Sequence, residues 1–150
     1  MISEQVKIVI DGVPGVWTPE QSTVYPVTPE GYLSPHFRVA EFDCNHCGQY
    51  GDLASLELLD VLEKMRAHFA GAAVTINSGV RCDQHNAAVG GADNSRHKIE
   101  YADAADVVVA GVSPDTVHAY FAGEYPNKYG LGRYGSFTHI DVRPGGPARW

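Results

Sequence analysis

The stretch Phe137-Thr-His-Ile-Asp-Val-Arg143 constrains this chain more than any other. As a strand it puts Phe137, His139, Asp141 and Arg143 on one face and Thr138, Ile140 and Val142 on the other. The second set is apolar enough to face a core. The first gathers an imidazole, a carboxylate and a guanidinium, which make a poor core and a good site. The run Ala102 to Val109 divides the same way. Ala102, Ala104 and Asp106 share a face, and the two alanines are small enough to leave space for the carboxylate. Asp103 faces away, and Glu100 sits in the connecting loop.

His97 lies just upstream of that second run. Two imidazoles and one carboxylate (His97, His139, Asp106) make a three-ligand zinc site with a fourth position left for water. Each signal alone is weak. A lone histidine is more often a packed structural residue than a ligand, and an aspartate before Val-Val-Val can simply pair with an arginine. The inference rests on their coincidence in two adjacent strands with small residues cleared around them.

The rest of the chain fits one domain with a leading arm. Residues 1–36 are expected to be an extension: Val6 to Ile10 can form a strand, and Pro14, Pro19, Pro26, Pro29 and Pro35 interrupt regular structure after it. Residues 37–150 are expected to form the catalytic domain. Asp52 or Ser55 can cap a helix running to about Phe69. Leu56, Leu59, Val61, Leu62, Met65 and Phe69 form its apolar stripe, with Glu57, Asp60, Glu63, Lys64 and Arg66 mostly outward. Gly71 stops it. Ala73–Ile76 is a short strand, and Gly79 in the turn after it is free to take positive φ. Asp83–Val89 is a short helix. Ser113-Pro114-Asp115 starts another helix with an N-cap, a proline at the first position and an early acid, and this runs to about Ala122. Gly130–Tyr134 and Phe137–Val142 read as a hairpin joined at Gly135-Ser136. Ala148–Trp150 is an end that can pair or pack.

Charge and length exclude several classes. The net charge is -7 and no Lys/Arg cluster is present, so a nucleic-acid partner is not expected. No apolar run approaches the roughly 20 residues of a membrane helix. The N-terminus lacks the basic region, apolar run and cleavage site of a signal peptide, so synthesis in the cytoplasm is expected. Three cysteines cannot all pair with one another. Cys44-x2-Cys47 followed by Cys82-x2-His85 has spacing that suits a second, structural zinc ion. Three free or buried thiols, or a disulfide from Cys82 to Cys44 or Cys47, are the alternatives. His36, His46, His68 and His118 are assigned to surface or packing roles.

Ser95-x-His97, Ala102-x-Ala104-x-Asp106 and Phe137-Thr-His139-Ile-Asp141 together resemble the zinc D-Ala-D-Ala carboxypeptidase family, which includes phage endolysins and murein endopeptidases. Asn77-Ser-Gly-x-Arg-Cys82, His85–Ala92 and Gly-Arg-Tyr134 fit its small phage and bacterial branch, and the resemblance covers about residues 37–150. It implies an α+β fold, a small antiparallel sheet with helices mainly on one face, as in hedgehog-type zinc peptidases. It implies His97, Asp106 and His139 as zinc ligands, and Arg81, Ser95 and Arg133 as substrate contacts. The reaction would be hydrolysis of peptidoglycan stem peptides or cross-links by a monomer. Such an enzyme would reach the wall through a holin-type pore or by virion delivery. The alternative is a non-catalytic zinc domain with a binding or virion-structural role.

Two departures from the family pattern stand out. Eight residues separate His97 from Asp106 where six are usual, and Ala102 replaces a glycine. The extra residues fall in Lys98–Tyr101 and predict a longer loop; Asp103 is the alternative ligand. The family's glutamate or second histidine before the last ligand is Ser136 or Phe137 here. Asp141 is then the candidate base or partner of a ligand.

Overall fold

The computed structural model describes residues 31–150. The expected strand at Val6–Ile10 and most of the arm lie outside the described residues.

Ser55 opens the longest helix, α2 (Leu56–His68), by accepting a hydrogen bond from the Leu58 amide at 3.3 Å. Asp52 falls instead in a 3-10 turn, Gly51–Leu53. The stripe Leu58, Leu59, Leu62 and Met65 is fully buried. Asp60, expected outward, is buried too: its carboxylate is 3.0 Å from Lys64 one turn on. Burial pushes this carboxyl up, and Lys64 offsets part of that. After the helix Gly71 takes a left-handed backbone, as a stop signal requires.

α2 and α4 (Pro114–Glu124) pack on one face of a five-stranded sheet. Its order is β3 (Val74–Ser78), β4 (Ala104–Val109), β6 (Thr138–Asp141), β5 (Gly130–Arg133), β7 (Ala148–Arg149). The sheet is antiparallel except at one edge, where β7 pairs parallel with β5. The core lies between helices and sheet: Ala105, Val107 and Val109 of β4, Ile140 of β6 and Leu131 of β5 meet Leu58, Leu62, Val117 and Phe121. Ser113 caps α4 by accepting from the Thr116 amide at 3.2 Å, with Pro114 at the first position as the sequence predicts.

A smaller hairpin, β1 (Tyr32–Ser34) with β2 (Phe37–Arg38), leads into the one-turn helix α1 (Val39–Phe42). Leu33 is fully buried in the same core, and Ser34 beside it is buried too. The α+β fold is therefore present. No helix among the described residues is long and apolar enough to cross a membrane.

Two local details differ from expectation. Gly79 has no positive φ. Its Cβ would instead lie 2.7 Å from the Phe42 Cα, so glycine is needed for close approach of two backbones. The strand expected from Ala102 begins at Ala104. Ala102 sits in left-handed space at φ 49, closing the Lys98–Tyr101 turn through a bond from its amide to the Lys98 carbonyl at 2.8 Å. Left-handed backbone is the conformation that favours glycine, which the resemblance leads one to expect at this position.

Candidate metal centre

The face of β4 and β6 turned away from the helices carries the site. Register places it: Asp106 and His139 are direct cross-strand partners, as are Ala104 and Asp141. The third element is the loop before β4. A single parallel bridge joins Arg81 to Lys98, and the Arg81 amide donates to the His97 carbonyl at 2.7 Å. This ties the His97 backbone to the segment that carries Arg81, just after α1 and β3 have met at Gly79.

The three side chains converge. His97 Nε2 is 3.2 Å from Asp106 Oδ1 and 3.3 Å from His139 Nδ1, and His139 Nδ1 is 3.0 Å from Asp106 Oδ1. All three residues are buried. The outward nitrogens are occupied. His97 Nδ1 donates to the Gly79 carbonyl at 2.7 Å, and His139 Nε2 donates to Asp141 Oδ2 at 2.7 Å. Each ring spends its one proton on that outer bond, so each turns a lone pair inward, beside a carboxylate oxygen.

Three acceptors facing one another are a site for a cation. Zinc bonds of about 2.0–2.1 Å in a tetrahedron separate ligand atoms by about 3.3 Å, close to the three distances found here. The donor set of two nitrogens and one oxygen is one that zinc accepts. The residues therefore fit the ion that the sequence implies.

The two carboxylates set the electrostatics, attracting any cation to the site, a proton included. Burial works against charge on Asp106, and the two imidazoles set against it hold its carboxyl well below the usual range. Burial likewise opposes charge on His139, but Asp106 and Asp141 together raise its pKa. Asp141 is fully buried, and both its oxygens are taken. Arg143 Nε meets Oδ1 at 2.7 Å and Nη2 meets Oδ2 at 2.8 Å. The chain Arg143–Asp141–His139 thus fixes the ring of one ligand. Gly130 makes room for it, because a Cβ there would collide with the Asp141 carboxylate and lie 2.7 Å from Arg143 Nε.

Arg81 stands over the other side. Its Nε donates to Ser78 Oγ and its Nη1 to Asn86 Oδ1, both at 3.2 Å. Its Nη2 is left 3.6 Å from Asp106 Oδ2. Burial lowers the guanidinium's pKa and Asp106 raises it in return.

The ligands floor a cleft of about 390 Å³. Tyr134, Phe137 and Trp150 line it, as do Val89 to Ala92. Ser95 lines it, and its hydroxyl accepts from the His97 amide at 3.3 Å. Arg133 does not reach it: its side chain is exposed and paired with Asp115 at 2.9 Å. Asp103, the alternative ligand, points elsewhere and is clasped by Arg96 through two hydrogen bonds, one of 3.0 Å.

Sequence reasoning missed Trp150, whose ring lies 5.0 Å from that of His139 and whose indole N–H donates to Tyr134 at 2.8 Å. Only the expectation that the C-terminal end can pair hinted at it. Asn86 and Gly79 were missed as well, since their partners Arg81 and His97 come from other segments.

Cys44, Cys47 and Cys82 form a second group, with sulfur atoms within 4.8 Å of one another. None is in a disulfide. His85 does not join them: its ring stacks on that of His46 at 6.0 Å, and it is His46 Nδ1 that comes within 3.9 Å of Cys82 Sγ. Burial resists charge on Cys44, but hydrogen bonds from the Cys82, Cys47 and His46 backbone bring its thiol down to about 7. Cys47 is pushed up by burial and by the neighbouring Cys44.

Two imidazoles and a carboxylate converge at the floor of a cleft on an α+β scaffold, an arrangement able to hold a single zinc ion. A family model described as Peptidase M15 matches residues 35–141. The chain belongs to that family, zinc metallopeptidases of the D-Ala-D-Ala carboxypeptidase superfamily. No curated protein matches it.

Proposed function

We propose that this protein hydrolyses peptide bonds in peptidoglycan stem peptides or their cross-links, with one zinc ion held by His97, Asp106 and His139. The observation that carries the reading is the convergence of three acceptor atoms at 3.0–3.3 Å, with the outward proton of each ring committed to a partner. A zinc ion held there supplies a water that is nucleophilic near neutral pH and Lewis acidity toward the scissile carbonyl.

The chain's own residues do the rest. Arg81 is pinned by Ser78 and Asn86, so its remaining fork is preorganised for a substrate carboxylate or a developing oxyanion. The other two guanidiniums at the cleft, Arg96 and Arg143, are already clasped by Asp103 and Asp141. This favours a substrate with a carboxylate beside the scissile bond, as stem peptides have. Asp141 we assign as a positioning residue for His139, because both its oxygens are occupied and it has no exposed surface. Delivery to the wall from inside a cell, through a pore or on a virion, follows from the resemblance alone.

A second reading is a non-catalytic zinc domain that binds the same peptides. It draws on one observation: among the described residues lining the cleft, Asp106 is the only carboxylate. Digestion of purified sacculi, with soluble fragments followed by chromatography and mass spectrometry, separates the two. Peptide-bond fragments from the parent and none from Asp106→Asn support the peptidase. Binding to sacculi without fragments supports the second reading.

A further inference from the structure

We propose that Cys44, Cys47 and Cys82 bind a second zinc ion, with the His46 imidazole as fourth ligand. The three sulfurs come from two turns that the fold presses together. Cys44 and Cys47 lie in the loop after α1, closed by the Cys44 amide on the Gln49 carbonyl and the Gly48 amide on the Cys44 carbonyl, both at 2.8 Å. Cys82 is the N-cap of α3 (Asp83–Ala88). Zinc–sulfur bonds of about 2.3 Å in a tetrahedron separate ligand atoms by about 3.8 Å, so sulfurs within 4.8 Å need only a small inward movement. His46 Nδ1 is 3.9 Å from Cys82 Sγ, ligand-to-ligand spacing for that pair; its ring must turn inward to reach an ion shared by all three sulfurs. The parallel ring of His85 backs it.

Backbone amides are aimed at two of the three sulfurs. The Cys82 amide donates to Cys44 Sγ and the His85 amide to Cys82 Sγ, each at 3.4 Å. Backbone amides aimed at sulfur stabilise negative charge, and three thiolates this close need a cation among them. A disulfide between two of them would leave the third sulfur unanswered. The half-exposed Cys47 and Cys82 give the ion a way in.

Four protein ligands leave no open position, so this ion is structural. It ties residues 44–47 to the residue next to Arg81, whose amide holds the His97 carbonyl. The staple therefore supports both the substrate-facing guanidinium and one ligand of the first site.

The test uses the full chain, in which the two sites can be emptied separately. Elemental analysis should find two zinc ions per chain in the parent and one in a His97→Ala/His139→Ala double variant. Loaded with cobalt(II), the double variant should show thiolate-to-cobalt charge-transfer absorption in the near ultraviolet. Cys82→Ser added to it should abolish the band. Cys47→Ser, in a half-exposed turn, repeats the test should Cys82→Ser not fold. His46→Ala should weaken zinc binding at least about tenfold while His85→Ala leaves it unchanged. A double variant with no bound metal and three titratable thiols overturns the proposal. So does a Cys44–Cys82 disulfide found by mass spectrometry, or a cobalt band that survives loss of the cysteines. Loss of binding in His85→Ala but not His46→Ala overturns the fourth-ligand assignment. None of these outcomes depends on whether the first site hydrolyses peptides.

Discussion

The two groups of metal-binding side chains are held by opposite means. His97, Asp106 and His139 rest mainly on strand register: two of them are direct partners across β4 and β6, and outward hydrogen bonds lock both rings. Cys44, Cys47 and Cys82 rest on turns, with Cys44 buried, Cys47 and Cys82 partly exposed, and backbone amides donating to two of the sulfurs. A sheet fixes ligand positions whether or not an ion is bound. The ion proposed between the two turns should contribute to their local order.

The largest effect should come from His139→Ala. Hydrolysis should fall to background while the chain keeps one zinc ion and its fold, measured by fragment release, metal content and circular dichroism. Metal removal by a strong chelator sharpens the contrast. Amide exchange should rise at residues 44–49 and 81–85 and stay slow in β4 and β6; uniform loss of protection would break the comparison. Next, Arg81→Ala should lower kcat/KM roughly 10–100-fold, from loss of a charge-assisted bond of about 1.5–3 kcal/mol. Zinc content should stay unchanged. Asp141→Asn should weaken zinc affinity at the sheet-held site by about 10–100-fold, the usual cost of losing a ligand's outer partner, and leave the cysteine site untouched. A competition titration with a chromophoric chelator reads both. The smallest effect belongs to Ala102→Gly. Relief of the left-handed backbone, about 1 kcal/mol, offsets loss of a buried methyl, so the midpoint of thermal unfolding should hardly move. Ala102→Val, by contrast, should lower it.

The same division governs how much was legible in the sequence. Alternation along β4 and β6 separates Asp106, His139 and Asp141 from Ala105, Val107 and Ile140, since a strand's side-chain period is local and strict. The caps at Ser55 and Ser113 are legible for the same reason, because both bonds close within three residues. What local pattern cannot supply is long-range. Asp60 is buried although its helical position suggests solvent, because its neighbours come from elsewhere in the fold. Gly79 reads locally as backbone freedom, but its cause is α1 lying across it. His46 is exposed as expected, yet its Nδ1 comes within 3.9 Å of Cys82 Sγ, the approach that spacing gives to His85. Which ring reaches the sulfurs is decided by how two loops 36 residues apart meet. Arg133 looks like a substrate contact from its place in a motif, yet β5 turns it toward Asp115 on α4.

The most direct test is anomalous diffraction at the zinc edge from crystals of the full chain. The expected result is a peak bonded to His97 Nε2, Asp106 Oδ1 and His139 Nδ1, with Asp141 on the far nitrogen of His139. Zinc-grown crystals with no density among these three atoms, or with their side chains turned apart, would contradict it.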